Sequence, residues 1–274
     1  MKIKRSHILQ RSLIALFFAL PLPSGHAAFL ELPSGARSAS LAGAYVAASA
    51  RSDALFYNPA GIRRPAGSDV HLFYTRLFGL AELKRMTLAA SQSFSRITLG
   101  LAVARLDRSP YCEEEFIAGL SLPLCPAIHL GAALRRVGLR IGSCYSATAT
   151  AFDFGGQVRC GDRMVLGWCW QNANRAGLGH GGELLPCPLR AGVRITAARD
   201  IRFFFDMVDG IGDCRFGTEV KTMANVHMRF GAAHDPSRIT AGLSVAFGRL
   251  QLDYAFDSHP DLGSTHLSAI RFVL

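Results

Sequence analysis

Along the C-terminal half of the chain, apolar and polar residues alternate with period two, the pattern of a strand with one greasy face. In 250–257, Leu250, Leu252, Tyr254 and Phe256 share a face opposite Gln251, Asp253, Ala255 and Asp257. In 239–248, Ile239, Ala241, Leu243, Val245 and Phe247 oppose Thr240, Gly242, Ser244, Ala246 and Gly248. The same division runs through 225–231, 201–207 and 189–196. In strand after strand the second face collects Arg, Asp, His, Gln and Gly. A soluble sandwich also alternates, but its water-facing side usually carries Lys, Glu and Thr. Apolar side chains facing lipid around a polar interior account for the difference, and lipid requires the sheet to close on itself. The expected fold class is all-β, a transmembrane antiparallel β-barrel.

Fourteen segments follow from the alternation, an even number as bacterial barrels have. They lie near 69–78, 83–92, 96–105, 115–122, 127–136, 146–159, 164–172, 189–197, 201–208, 215–221, 224–233, 238–248, 250–257 and 265–274; the first two alternate least clearly. With the N-terminus on the periplasmic side, the connections after odd strands lie outside. Three of these are long: 173–188, rich in Gly and Asn, 106–114 and 258–264. Those after even strands are brief: 93–95, 123–126, 160–163, 198–200 and Arg249. Long outside and short inside is the asymmetry of such barrels. The final segment puts Ile270, Phe272 and Leu274 on one face. Barrels of this kind commonly end in an amphipathic strand that the barrel-assembly machinery recognises, usually with a terminal aromatic; here Phe stands two places before a terminal Leu.

Composition adds a location. Hydrophobic residues are 50% and charged residues 18%, which excludes a disordered chain. Residues 1–11 are basic, 12–22 apolar and 24–28 small and polar, the layout of a secretory signal cleaved after Ala27 or Ala28. The apolar run is too short for a spanning helix and is broken by Pro21 and Pro23. The formal charge of +10 shrinks once Lys2, Lys4, Arg5 and Arg11 leave with the signal, and the mild remainder needs no nucleic-acid partner. The expected organisation is signal over 1–28, a small N-terminal plug or strap over 29–68, and an outer-membrane barrel over 69–274, with membrane lipid as its first partner.

Residues 35–61 read GARSASLAGAYVAASARSDALFYNPAG. Small residues allow close packing against other backbone. Ser52 or Asp53 could cap a short helix ending before the Asn58-Pro59 turn. GARSASLAGAYVA followed by ALFYNPAG resembles the N-terminal region of PorV/PorQ-type outer-membrane proteins, relatives of the FadL fatty-acid transporters. SATATAFDFGGQVR at 146–159 is similar to that family's mid-barrel strand, 171–192 to its following loop and strand, and 228–272 to its C-terminal hairpins. The resemblance implies a 14-stranded barrel. FadL-like members admit hydrophobic molecules, with a plug whose Asn-Pro-Ala motif occludes the lumen; on that reading Asn58, Pro59, Ala60 and Gly61 form the plug motif. PorV-like members assist type IX secretion, which makes secretion components the alternative partners to hydrophobic ligands. The chain is shorter than typical members, so its loops must be trimmed.

The remaining chemistry is sparse. The lumen-lining candidates are Arg190, Arg194, Arg202, Asp206, Arg215, Glu219, Arg229, Asp253 and Arg271. Opposite charges on neighbouring strands could pair and partly close the interior; unpaired, they would leave a basic conduit. Seven cysteines divide into Cys112, Cys144, Cys187 and Cys214 outside, Cys125 and Cys160 inside, and Cys169 within a strand, which permits disulfides or isolated thiols. His129, His227 and His266 fall on lumen-side positions or strand ends, without metal-site spacing. Glu113–Glu115 reads as a solvated acidic loop. No Gly-x-Ser-x-Gly elbow occurs, and the Asp-Phe-Gly at 153–155 lacks every other kinase signature, so neither an enzyme nor a cofactor is expected.

Overall fold

A computed structural model describes residues 28–29, 31–62, 67–179, 183–210 and 212–274. The signal expectation, apart from Ala28, lies outside the described residues, as do 63–66 before the first strand. The strands are β1 (Gly67–Arg76), β2 (Lys84–Ser93), β3 (Thr98–Arg108), β4 (Tyr111–Cys125), β5 (Ile128–Ile141), β6 (Tyr145–Cys160) and β7 (Met164–Trp170). A small hairpin follows, β8 (Gly177–Leu178) and β9 (Glu183–Leu184). Then come β10 (Leu189–Ala198), β11 (Ile201–Val208), β12 (Asp213–Met223), β13 (Val226–Ala233), β14 (Arg238–Phe247), β15 (Leu250–His259) and β16 (Gly263–Val273). Fourteen of them, all but β8 and β9, pair antiparallel with their neighbours, and β1 pairs with β16 to close a barrel. No helix is long and apolar enough to cross a membrane among the described residues.

Alternation sorts the two faces as expected. Leu99, Leu101 and Val103 on β3, Phe203 and Phe205 on β11, and Ile270 and Phe272 on β16 are exposed on the outside. Trp168 and Trp170 join them on β7. Arg190, Asp206, Arg215, Glu219, Arg229, Asp253 and Arg271 are buried inside. β1 and β2 alternate fully in space despite their weak sequence signal. In β1 the signal is weakened by Phe73, an inward apolar residue that packs with Ala36 and Ala39 of the N-terminal segment.

Three expectations need correction. The connections 106–114 and 258–264 shrink to 109–110 and 260–262, because the flanking strands extend into the anticipated loops; the long-outside asymmetry rests mainly on 171–188. Glu113–Glu115 is strand, not solvated loop: Glu113 is buried and accepts hydrogen bonds from the Phe29 amide and the Tyr111 hydroxyl. His266 faces outward, where its Nδ1 lies 2.6 Å from the Tyr254 hydroxyl, while His129 and His227 lie on inward positions. All seven cysteines are free thiols.

Residues 31–62 are mostly buried, in short turns of helix with little regular structure: α1 (Ala36–Ala39) and two 3-10 turns, Ser52–Phe56 and Pro59–Gly61. Barrel glycines on the inward face make room for them. A Cβ on Gly167 of β7 would stand 2.8 Å from Ala47 Cα, one on Gly217 of β12 2.9 Å from Leu41, and one on Gly231 of β13 2.6 Å from the Ala42 amide nitrogen. Gly131 of β5 abuts the Pro59–Ala60 backbone, Gly155 of β6 the Asn58 side chain, and Gly242 of β14 Ser40. These inward glycines are thus a contact surface, matched to a segment rich in Ala and Ser.

Candidate functional site

Polar side chains of the wall satisfy the irregular backbone of the segment, which would otherwise leave buried donors and acceptors unmet. Asp206 accepts from the amides of Tyr45 and Val46, both at 2.7 Å. Gln157 Nε2 donates to the carbonyls of Val46 (3.2 Å) and Ser49 (3.0 Å), and Gln171 Nε2 to that of Phe56 (2.9 Å). Asn58, fully buried, sits at the centre of the Asn-Pro-Ala turn. Its Oδ1 accepts from the Ala60 amide at 3.1 Å, and its Nδ2 donates to the carbonyls of Val46 (3.0 Å) and Gly156 of β6 (3.2 Å). Pro59, Ala60 and Gly61 are buried with it, and Ser121 Oγ of β4 donates to the Ala60 carbonyl. An Asn58→Ala change is expected to cost about 1–3 kcal/mol by orphaning buried groups at both ends of the amide. A urea-unfolding midpoint in lipid vesicles would measure it.

Ser52 and Asp53 do not cap a helix. Arg51 holds the cap position of the Ser52–Phe56 turn without a side-chain cap bond. Both side chains are used elsewhere: Ser52 bonds Asp69 of β1, and Asp53 bonds Arg271 of β16. Arg271 therefore touches Asp53 at 2.6 Å and Asp69 at 3.0 Å, tying the segment to the seam where the barrel closes. Glu219 gathers three guanidiniums: Arg37 of α1 at 3.1 Å, Arg202 at 2.9 Å and Arg229 at 2.6 Å. Asp253 accepts from Ser244 and from Gln251. Arg194 lies on the inward face of β10 with Arg190 and Gly192. Arg190, Arg202, Arg215, Glu219, Arg229, Asp253 and Arg271 thus form ion pairs, and Asp206 caps backbone amides, in place of an open basic conduit.

Above this packing, at the end that carries the 171–188 connection, is a cavity of about 570 Å³. Leu77 and Phe78 after β1, Pro236 between β13 and β14, and Leu262 between β15 and β16 border its mouth. Its floor is the segment itself, through Pro33, Phe56 and Tyr57. Val137 of β5, Ala151 of β6, Leu185 and Val208 of β11 add apolar wall. Most of the charges in the wall are paired; Asp209 instead accepts from the Leu189 amide, and Asp235 also lines the cavity. Glu31, from the segment, bridges Arg190 of β10 (2.8 Å) and Arg215 of β12 (2.6 Å). Burial works against the Glu31 charge, but those two guanidiniums hold its carboxyl well below the usual carboxylate range. Arg135 of β5 pairs with Glu115 and with Asp153 of β6, both at 2.8 Å. Neutralised charges beside aromatic and aliphatic walls leave a site suited to uncharged apolar molecules.

Sequence reading missed Glu31, Arg37, Asp53 and Asp69 as partners of the lumen charges, and it missed the Phe56 and Tyr57 floor. All but Asp69 lie in a stretch without periodicity, so nothing marked which side chains face the wall. Arg135 and Glu115 did carry a usable signal, because both hold inward parity on their strands.

Solved structures with the same architecture are known. Its fold resembles that of FadL-type channels. The CymD monoaromatic hydrocarbon channel superposes with a TM-score of 0.69 at 12% identity, over 90% of this chain and 98% of that one. The Pseudomonas putida toluene transporter TodX gives 0.63 at 12%, over 89% and 98%. A Pseudomonas aeruginosa FadL homologue gives 0.58 at 13%, over 90% and 97%. No family profile and no curated protein sequence matches the chain. The fold half of the sequence resemblance, a 14-stranded FadL-like barrel, agrees with these structures; its PorV/PorQ half rests on sequence motifs alone.

Proposed function

We propose that the protein is an outer-membrane channel of the FadL type for hydrophobic small molecules, with residues 31–62 as an internal plug. The observation that carries this reading is the cavity at the loop end, floored by Pro33, Phe56 and Tyr57 of the N-terminal segment and walled by apolar residues among mostly paired charges. The long 171–188 connection at that end supports putting the cavity on the cell-surface side. A small apolar solute would enter between the loops and rest against Phe56 and Tyr57. Passage further requires the Asn58–Gly61 turn to leave the wall. The monoaromatic hydrocarbons of the CymD channel and the toluene of the TodX transporter are cargoes that fit a site whose charges are mostly paired.

Uptake of a radiolabelled monoaromatic hydrocarbon by cells expressing the protein, against cells without it, tests the reading. Accelerated uptake is expected. Val208→Trp, which places a large ring into the cavity from β11, is expected to lower the rate several-fold while the barrel still inserts. Equal uptake by wild type, Val208→Trp and the empty strain would overturn the channel reading. A second reading, a secretion-associated scaffold of the PorV/PorQ type, draws on the motifs in 35–61 and on the filled interior below the cavity. Silent uptake together with co-purification of secretion components would favour it.

A further inference from the structure

The outer surface of the barrel is electrically one-sided. Among the described residues, the outward faces of β6, β7 and β10 to β15 carry no Lys, Arg, Asp or Glu. Those of β1 to β5 carry Arg76, Lys84, Arg105, Arg136 and Arg140, all exposed, together with Asp107 and Glu114.

These residues form a band toward the loop end of their strands, which on β5 runs from Arg136 to Arg140. Arg76 of β1 stands opposite Lys84 of β2, and Lys84 opposite Asp107 of β3. Arg105 of β3 faces Glu114 of β4, and on β5 Arg136 faces Phe116 while Arg140 faces Cys112. Each of the first four cations is the next outward residue after an apolar one, Tyr74, Met86, Val103 and Leu134 respectively, on the side toward the loop end. The band therefore begins where the hydrocarbon-facing surface stops, at the level of lipid headgroups. Its two carboxylates both go to Arg105, Asp107 at 3.1 Å and Glu114 at 2.9 Å. Among the described residues, Arg76 donates to the Tyr74 hydroxyl, at 2.9 Å, and to no carboxylate. The excess positive charge on this face thus sits on Arg76, Lys84, Arg136 and Arg140.

We propose that the outward face of β1 to β5, at the loop end, docks the phosphate groups of an outer-leaflet lipid. Guanidiniums and an ammonium spread over neighbouring strands match several phosphates on one headgroup, with acyl chains lying along the apolar belt below. The opposite wall offers no such contacts, so one bound lipid would fix the side of the barrel presented to it. The proposal rests on the outer-membrane reading and on the loop end facing outward.

The test uses the purified full chain in detergent micelles and in phosphatidylcholine vesicles. Retention of diphosphorylated lipid A, of its dephosphorylated form and of phosphatidylglycerol is followed by native mass spectrometry, with the quadruple variant R76Q/K84Q/R136Q/R140Q as comparison. All four changes lie on an exposed outer face, and heat-modified mobility on gels reports that the barrel has formed. The wild type is expected to retain diphosphorylated lipid A at least about tenfold better than the dephosphorylated form. The quadruple variant is expected to lose that preference, and added salt to weaken it in the wild type. Equal retention of the two lipid A forms overturns the proposal, as does unchanged binding by the variant. Better retention of phosphatidylglycerol than of lipid A overturns the outer-leaflet assignment. A lipid-independent dimer that the four changes dissolve would make the face a protein interface instead. Failure of the wild type to insert into any vesicle would remove the membrane reading beneath it, a result separable from lost lipid preference.

Discussion

Replacing Arg271 with methionine is expected to cost about 3–5 kcal/mol, because it leaves two buried carboxylates against each other without their shared cation. Arg271 lies on the last strand and touches Asp53 in the N-terminal segment and Asp69 on the first strand. Both carboxylates are buried, and both hold further partners that presuppose their charge: the Tyr45 hydroxyl donates to Asp53 at 3.0 Å, and the Ser52 amide to Asp69 at 2.9 Å. Removing the guanidinium therefore loosens three things together: the β1–β16 seam, the Ser52–Phe56 turn and the Tyr45 anchor. Unfolding of the refolded protein in lipid vesicles, followed by gel mobility across a urea series, measures the loss. The double variant Asp53→Asn/Arg271→Met removes one of the stranded charges. It is expected to recover part of the stability, giving a coupling well above the scatter for independent sites. A loss below about 1 kcal/mol for Arg271→Met would mean that the ion pair is solvated and does not hold the segment.

The barrel was legible in the sequence because its rule is simple: two faces, one meeting lipid and the other not. Leu250 to Asp257 shows it without ambiguity, and the number of strands followed. The exceptions arise where an inward residue is apolar for a reason the strand cannot display. Phe73 is such a residue, buried against Ala36 and Ala39 and so mistaken for noise in the alternation. Strand ends were less legible than strand centres. Residues 106–114 contain charges and a proline that read as loop, yet Arg105, Asp107 and Glu114 simply face outward above the apolar belt. The lumen candidates were found by parity alone, but parity cannot name a partner contributed by an aperiodic segment. Glu31 and Arg37 are therefore the residues that convert a list of lumen charges into a packed interior. The signal that could have located the segment was present in the glycines: Gly131, Gly155, Gly167, Gly217, Gly231 and Gly242 all sit on inward positions, where a hollow barrel would have no need of them.

That surface leads to the second large effect. Gly131→Leu is expected to open the barrel by displacing the Asn58–Gly61 turn, without dismantling the strands. Gly131 pairs with Ser121 on one side and Gly155 on the other, in the middle of regular ladder. A side chain there would enter the space of the Pro59 and Ala60 backbone, which cannot rotate away as a flexible side chain would. The local overpacking is worth roughly 1–3 kcal/mol, less than a folded barrel needs to unfold but comparable with what Asn58 contributes to holding the turn. Asn58 has little freedom to follow, since its own side chain lies against Gly155. In planar bilayers the wild type is expected to conduct weakly, with its interior filled, and Gly131→Leu to show discrete conductance steps at unchanged heat-modified mobility. Gly138→Leu is the control: Gly138 lies on the same strand with outward parity, and a Cβ there would meet only Thr148 at an ordinary 3.8 Å. It is expected to conduct as the wild type does. A Gly131→Leu barrel that inserts and stays closed would show that Asn58–Gly61 is not what seals the interior, and the closure would then have to lie in the ion pairs around Glu219 and Arg271.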